Sequence, residues 1–374
     1  MGCKGLGVLA VAGAIAVGGV FVPATASARD SGVGTVVDTP VTMGWGGLER
    51  ARNIRYVTEG PTGATTVATG ILALPTGPAP RGGWPVVAWD HGSRGLDPSC
   101  GITAYPGPDA EIVRRFVDLG YAVVAPDYVG LGPGTVGPHP YQHGRTEATA
   151  TIDLVRAARQ AEPNLSKSWA VAGVSQGGHA ALNTGNTAPI YAPELDFRGT
   201  IALAPASNID NVLPLAGPST PGIPGTADIV GIFAAVMVGL QTAQPDFDLD
   251  AYLTPAGKNL LTRLRTTCVQ DWGTVVGSDS FATILARPLS TGEFPNRLRK
   301  YTAVPTSGYH QPIFLGQGTT DLSVPLPATQ ALATAFQASA TDYQFHTYDT
   351  DHQGIPYAAW NDLTDFLTHI LPPR

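Results

Sequence analysis

Two kinds of hydrophobic pattern alternate along this chain. Residues 52–57 and 65–74 mix apolar and polar positions around the turn Gly60-Pro61-Thr62-Gly63, which predicts a pair of antiparallel strands. Residues 84–89, 121–125, 169–174 and 200–204 are instead short, nearly continuous apolar runs. Helices are predicted between them at 110–119, at about 145–161 and from Gln176 onward. Apolar strands that alternate with helices need cover on both faces, so the pattern predicts a mostly parallel sheet in an α/β fold.

The alternation stops at about 206 and resumes after about 311. Prolines and glycines punctuate 213–225, and residues 229–240 are apolar on every side. That run falls short of the ~20 residues a bilayer span needs, and predicts a helix buried inside the domain. The pattern returns with a strand at 313–315, a helix near 327–338, a strand at 343–348 and a last helix at about 356–370. The layout is one domain over 29–374 whose sheet pattern is interrupted by an insertion at about 206–311.

The first 28 residues belong to neither pattern. Lys4 precedes the apolar run 6–22, which ends at Ala26-Ser27-Ala28, the layout of a secretory signal cleaved near Ala28. A membrane anchor is the alternative, and the many small residues with the Ala-x-Ala end favour removal. Export changes the meaning of the cysteines. Cys3 leaves with the signal, and Cys100 and Cys268 remain as a lone pair without CxxC spacing. In an oxidising compartment such a pair reads as a disulfide rather than a metal site or catalytic thiol, and would stabilise by roughly 3–5 kcal/mol. A formal net charge of −7, with 22 Lys+Arg and no long basic run, argues against nucleic acid as a partner.

The candidate chemistry starts at Gly173-Val174-Ser175-Gln176-Gly177, where an apolar strand gives way to a helix. Gly-x-Ser-x-Gly in that context reads as a nucleophile elbow, with Ser175 at the apex of a sharp turn. The Gln176 N–H, at the start of the helix, would face the developing oxyanion. A base and its orienter should then follow in the order serine, acid, histidine, each just after a later strand. Asp321, in the turn-rich stretch after the strand at 313–315, and His352, directly after the strand at 343–348, meet that demand. Asp349 and Asp351 adjoin His352 and compete with Asp321 for the orienting role. His346 lies inside a strand and reads as a packed core histidine. His310 precedes a strand and His369 ends the last helix, so neither falls at the catalytic edge. A second oxyanion donor is expected from the loop Asp90-His91-Gly92-Ser93, through the N–H of Gly92 or Ser93, with the Ser93 hydroxyl as a further donor.

Two patterns look like metal sites and are read otherwise. His139 and His143 are spaced like zinc ligands on a helix, but Pro138 and Pro140 make the stretch a loop. Asp246, Asp248 and Asp250 open like a calcium loop, yet Ala251 and Gly257 stand where an EF-hand needs Gly and Glu, so helix capping is the reading. The constellation around Ser175 calls for no metal and no cofactor.

With these residues assembled, the chain resembles the secretory lipase family of α/β-hydrolases, typified by lipase A. The resemblance covers most of the mature chain. It rests on Trp89-Asp90-His91-Gly92-Ser93-Arg94-Gly95 upstream of Cys100, Ala125-Pro126-Asp127-Tyr128-Val129-Gly130-Leu131-Gly132, His139-Pro140-Tyr141, the elbow, Gly316-x-Gly-x-x-Asp321-x-x-Val324-Pro325 and Asp351-His352. Where fungal members place an acidic side chain in the oxyanion loop, this chain has His-Gly-Ser. The resemblance implies an α/β-hydrolase fold, a Ser175, Asp321, His352 triad and a helical cap or lid at about 206–311 over an acyl-binding tunnel. It also implies a Cys100–Cys268 bridge joining the oxyanion loop to that cap. The function expected is a secreted serine ester hydrolase, lipase or carboxylesterase, acting on lipid or small-molecule esters, with a lipid–water interface as a possible working surface and the oligomeric state open. An acyltransferase or serine peptidase on the same scaffold is the rival among enzymes, and a non-catalytic cell-surface binding protein the rival outside them.

Overall fold

The computed structural model describes residues 32–39, 44–223 and 225–373, so the signal expected at 1–28 lies outside the described residues. Among these, nine strands form one sheet in the order β1-β2-β3-β5-β4-β6-β7-β8-β9. The antiparallel opening is β1 (Val36–Asp38), β2 (Ala51–Glu59) and β3 (Thr65–Ala73). The parallel series follows as β4 (Trp84–Asp90), β5 (Ala122–Pro126), β6 (Leu165–Val174), β7 (Asp196–Leu203), β8 (Ile313–Gly318) and β9 (Tyr343–Tyr348). β3 pairs antiparallel with β5, and every later pairing is parallel.

β4, β5 and β8 are buried at every position. Helices α1 (Asp109–Asp118), α2 (Gly144–Ala161) and α3 (Gln176–Tyr191) connect the first parallel strands. One face of the sheet packs Val87, Trp89, Val123 and Ala172 against Phe116 of α1 and residues near the carboxyl end, including Leu363 and Leu367. The other packs Val86, Val124 and Val171 against Ile152, Val155 and Ala158 of α2. Apolar runs without alternation are what a strand with both faces covered requires.

Between β7 and β8 the regular elements among the described residues are helices: α4 (Ile209–Val212), α5 (Ala227–Ala243), α6 (Pro255–Leu264), α7 (Trp272–Val276), α8 (Phe281–Ile284), α9 (Phe294–Thr302) and short 3₁₀ turns. They enclose an apolar cluster around Val236, Leu240, Leu260 and Trp272, which Leu96 and Tyr141 from the loops after β4 and β5 also join. None of the described helices is long and apolar enough to cross a membrane. After β8 come α10 (Leu326–Ala338), α11 (Ile355–Ala358) and α12 (Trp360–Ile370), so the last helix expected from sequence is two. His346 is not a core residue. β9 is the edge strand, and the His346 side chain is 41% exposed while its ring stacks on Phe314.

Candidate active site

The parallel strands end level with one another. Asp90 of β4 is in register with Gly173 of β6, Val174 with Leu203 of β7, Leu203 with Gly316 of β8, and Gly318 with Tyr348 of β9. Gly92, Ser175, Asp321 and His352 follow these ends, and so share the carboxyl edge, where open α/β sheets build their sites.

Ser175 is the turn itself, at φ 59° and ψ −118°, a conformation that a residue with a side chain rarely adopts. Its N–H donates to the Leu203 carbonyl at 2.9 Å, and its carbonyl accepts from His179 N and Ala206 N at 3.1 Å each. Gly177 makes the tight passage possible, since a Cβ there would overlap the Asp90 carbonyl. The Ser175 side chain makes no capping bond to α3, which leaves Oγ free of the helix. The Gln176 N–H, first in α3, has no carbonyl within the helix to bond.

His352 Nδ1 lies 2.7 Å from Asp321 Oδ2. A carboxylate only accepts, so Nδ1 carries the proton of that bond, and Nε2 is the nitrogen left for Ser175. Asp321 Oδ1 accepts from Ser323 N and Val324 N at 2.8 Å each, and Gln317 Nε2 donates to Oδ2 at 3.1 Å. Burial raises the Asp321 pKa, but the His352 hydrogen bond and the loop N–H groups outweigh it and hold the carboxyl below its ordinary value. Backbone bonds from Thr319 N to Tyr348 O (2.8 Å) and Thr320 N to Thr350 O (3.2 Å) zip the two loops together. Asp351 instead accepts from the Gln353 and Gly354 N–H groups, and Asp349 is exposed. Among the described residues no hydrogen bond joins Ser175 Oγ to His352.

The loop after β4 passes against the serine. A Cβ on Gly92 would lie 3.8 Å from Ser175 Cβ. The loop is braced by the buried His91, whose Nδ1–H donates to the Gly92 carbonyl at 2.6 Å, with the Tyr128 ring 4.5 Å away. Burial first, and the Arg94 charge second, push the His91 pKa down to about 3, so the ring stays neutral. Ser93 Oγ is 2.6 Å from Tyr141 Oη. Beyond it, Leu96 N donates to Thr267 O at 3.2 Å and Val269 N to Arg94 O at 2.9 Å, and a disulfide joins Cys100 to Cys268. The oxyanion-loop candidates are thus fastened to the helical segment.

The residues first read as metal look-alikes have other partners. His139 Nδ1 donates to Val129 O, and the His143 ring stacks on Tyr301. Asp248 caps the turn at Leu249–Tyr252, while Asp246 and Asp250 pair with Arg297 and Lys258. Sequence reading missed Gln317, Tyr141, Glu147, His139 and His179 as parts of the site's support. The signal for Glu147 is a lone acid in the small-residue helical run 146–152. A cleft of about 360 Å³ lined by Arg198, Gln311, Asp342 and His369 opens at the amino ends of β7 to β9, opposite the serine, and belongs to no part of this edge.

The arrangement has relatives. The profile described as secretory lipase matches residues 102–353. By fold, the chain is similar to Candida antarctica lipase A, at TM-score 0.72 and 20% identity, covering 89% of this chain and 82% of that one. It is also similar to the rice cell wall degrading esterase LipA from Xanthomonas oryzae, at TM-score 0.70 and 21% identity, covering 91% and 97%. A putative hydrolase from Legionella pneumophila matches at TM-score 0.70 and 20% identity, covering 86% and 88%. Among curated proteins, none matches the chain.

Proposed function

The chain belongs to the secretory lipase family, an ester hydrolase family, and from that premise we propose that it is a secreted serine hydrolase that cleaves carboxylic esters of acyl lipids through an acyl-enzyme on Ser175. The observation that carries this reading is the 2.7 Å bond between Asp321 and His352 on the edge where Ser175 is held in a strained turn. His352 Nε2 takes the Oγ proton as Oγ adds to the ester carbonyl, and Asp321 stabilises the imidazolium that forms. The oxyanion is met by the Gln176 N–H and by an N–H of Gly92 or Ser93. Collapse expels the alcohol, which leaves with the proton from His352. Water, deprotonated by His352, then releases the acid and restores Ser175. The Ser175 to His352 bond is one that closes when substrate is seated.

The helical segment at about 206–311 serves as the cap. Its apolar cluster and its ties to the loop after β4 support that role, since each buried methylene of an acyl chain stabilises by about 0.8 kcal/mol. Export rests on the residues at 1–28 and is supported by the Cys100–Cys268 disulfide, a bond of oxidising compartments. Ser175→Ala is expected to abolish hydrolysis of p-nitrophenyl esters, and a fluorophosphonate is expected to label Ser175 in the wild type. Turnover retained by the variant overturns the mechanism. A series of esters from acetate to palmitate then separates lipase from carboxylesterase.

A further inference from the structure

Beneath the elbow lies a buried polar layer that none of the hydrolytic steps uses. Glu147 of α2 is fully buried. Its Oε1 accepts from Gln176 Nε2 at 2.8 Å, and its Oε2 accepts from His179 Nδ1 at 2.6 Å. Gln176 Nε2 also lies 2.7 Å from His139 Nε2. His179 Nε2 lies 2.9 Å from the carbonyl of Thr302, the last residue of α9.

The chemistry of the partners fixes the protons. His139 Nδ1 faces the Val129 carbonyl at 2.7 Å and must donate, so its Nε2 accepts from Gln176. The Gln176 amide nitrogen therefore spends both its hydrogens, one on His139 and one on Glu147. Its Oε1 is buried without a hydrogen-bond partner, so the amide is oriented through its nitrogen alone. His179 Nδ1 faces the Glu147 carboxylate, and its Nε2 lies 2.9 Å from the Thr302 carbonyl, nearer than Asn183 Nδ2 at 3.3 Å, whose better-placed acceptor is the His179 carbonyl at 3.0 Å; with Nε2 donating to Thr302, the ring is an imidazolium paired with ionised Glu147. The Thr302 carbonyl is at the negative end of α9 and unpaired within the helix, a natural acceptor for a cation.

Gln176 is also the residue whose backbone N–H faces the oxyanion in the reading above, on which this step rests. We infer that Glu147 is a positioning residue for the hydrolysis: it holds the Gln176 side chain, and with it the Gln176 N–H, in line for the oxyanion, while its ion pair with His179 ties α2 to the elbow helix and sustains the second proton that His179 Nε2 gives to the Thr302 carbonyl at the end of α9. Burial works against both charges. The mutual attraction and hydrogen bond outweigh it, holding the Glu147 carboxyl below and the His179 imidazole above their ordinary values. Leaving one member of such a pair alone in the interior is costly, so the pair acts as a unit.

A double-mutant cycle on the whole chain tests this. Glu147→Gln keeps the shape and removes the charge; Gln176→Ala removes the tethered side chain and keeps the backbone N–H. On p-nitrophenyl butyrate each is expected to lower kcat about 10- to 100-fold, less than outright loss of a donor, with KM within about threefold. Affinity for an alkyl boronic acid, whose serine adduct carries a tetrahedral oxyanion, is expected to fall by the same factor. The double variant is expected to be no slower than Gln176→Ala alone. A Glu147→Gln effect that persists in full in the Gln176→Ala background overturns the inference, as do single variants with unchanged kcat and boronate affinity. If Glu147→Gln fails to fold, Gln176→Ala and Gln176→Met carry the test, and full activity in both overturns it. A wild type that neither turns over esters nor reacts with a fluorophosphonate at Ser175 overturns the ester-hydrolase reading and the inference with it, which is distinct from an active wild type indifferent to Glu147.

Discussion

At the carboxyl edge of the sheet, Ser175, Asp321 and His352 are held by backbone hydrogen bonds from strands and from loops zipped together strand by strand. The segment at about 206–311 holds itself together differently, through side chains packed between helices, and meets the rest of the chain at separate points along its length. A ladder of hydrogen bonds fixes an atom's place closely, which reacting groups need. A cluster of apolar side chains tolerates exchange of one residue for another of similar volume. On the proposed reading the chemistry belongs to the edge, and the intervening segment is the part free to vary what is bound. His179, through its contact to the Thr302 carbonyl, Tyr141, through the Tyr301 hydroxyl, and the Cys100–Cys268 disulfide are among the places where the two regions meet.

The largest effect is expected from breaking the edge and sparing the segment. Asp321→Asn keeps the shape of the loop but no longer holds the His352 tautomer with a charge, and should lower kcat by about 10⁴. Thermal unfolding reports whether the segment is spared: a single cooperative transition near the wild-type Tm is expected. A kcat within tenfold of wild type would remove Asp321 from the reaction.

Next comes the tether. Cys100→Ser with Cys268→Ser frees a loop closed over 168 residues, and should cost about 2–5 kcal/mol in denaturant unfolding. Acetate ester turnover by the folded protein should suffer less than palmitate turnover, because the edge stays intact while the segment loses its hold on the loop after β4. Equal losses on both esters would mean that the two regions are not separable in this way.

The two regions also differ in how readily they are read from sequence. The strands of the parallel series are legible because burial on both faces leaves a continuous apolar run, as at 84–89 and 121–125. The order Ser175, Asp321, His352 is legible because each follows a strand end, and strand ends line one edge. β1 is three residues long and carries no apolar pattern. His346 reads as core until the sheet order makes β9 an edge strand, a fact that no local pattern holds. Glu147, His139 and Gln176 meet across 37 or fewer positions, yet each is a single polar residue in its own segment, and pairing between segments has no period to detect. Of the helices α4 to α9, α5 is legible as the apolar run 229–240, whereas α6 and α9 mix charged and apolar residues and leave no such run.

The smallest expected effect sharpens the contrast electrostatically, with one carboxyl from each region. Asp321 on the edge titrates below its ordinary range for the reasons given, so it contributes stability that is present above the unfolded pKa and is lost as pH falls through its lower folded value. Asp210, in α4, is raised by burial, which outweighs its own backbone N–H and the charges of Arg299 and His179. Its sign is opposite: the folded state is penalised once pH rises above the unfolded value, and the penalty is complete above the raised folded value. Asp210→Asn should therefore raise Tm by about 1–2 °C at pH 7 and leave it unchanged near pH 3, where the carboxyl is already neutral. A lower Tm at pH 7 would mean that the Arg299 contact, at 3.8 Å, outweighs burial, and that the segment holds its charges as the edge does.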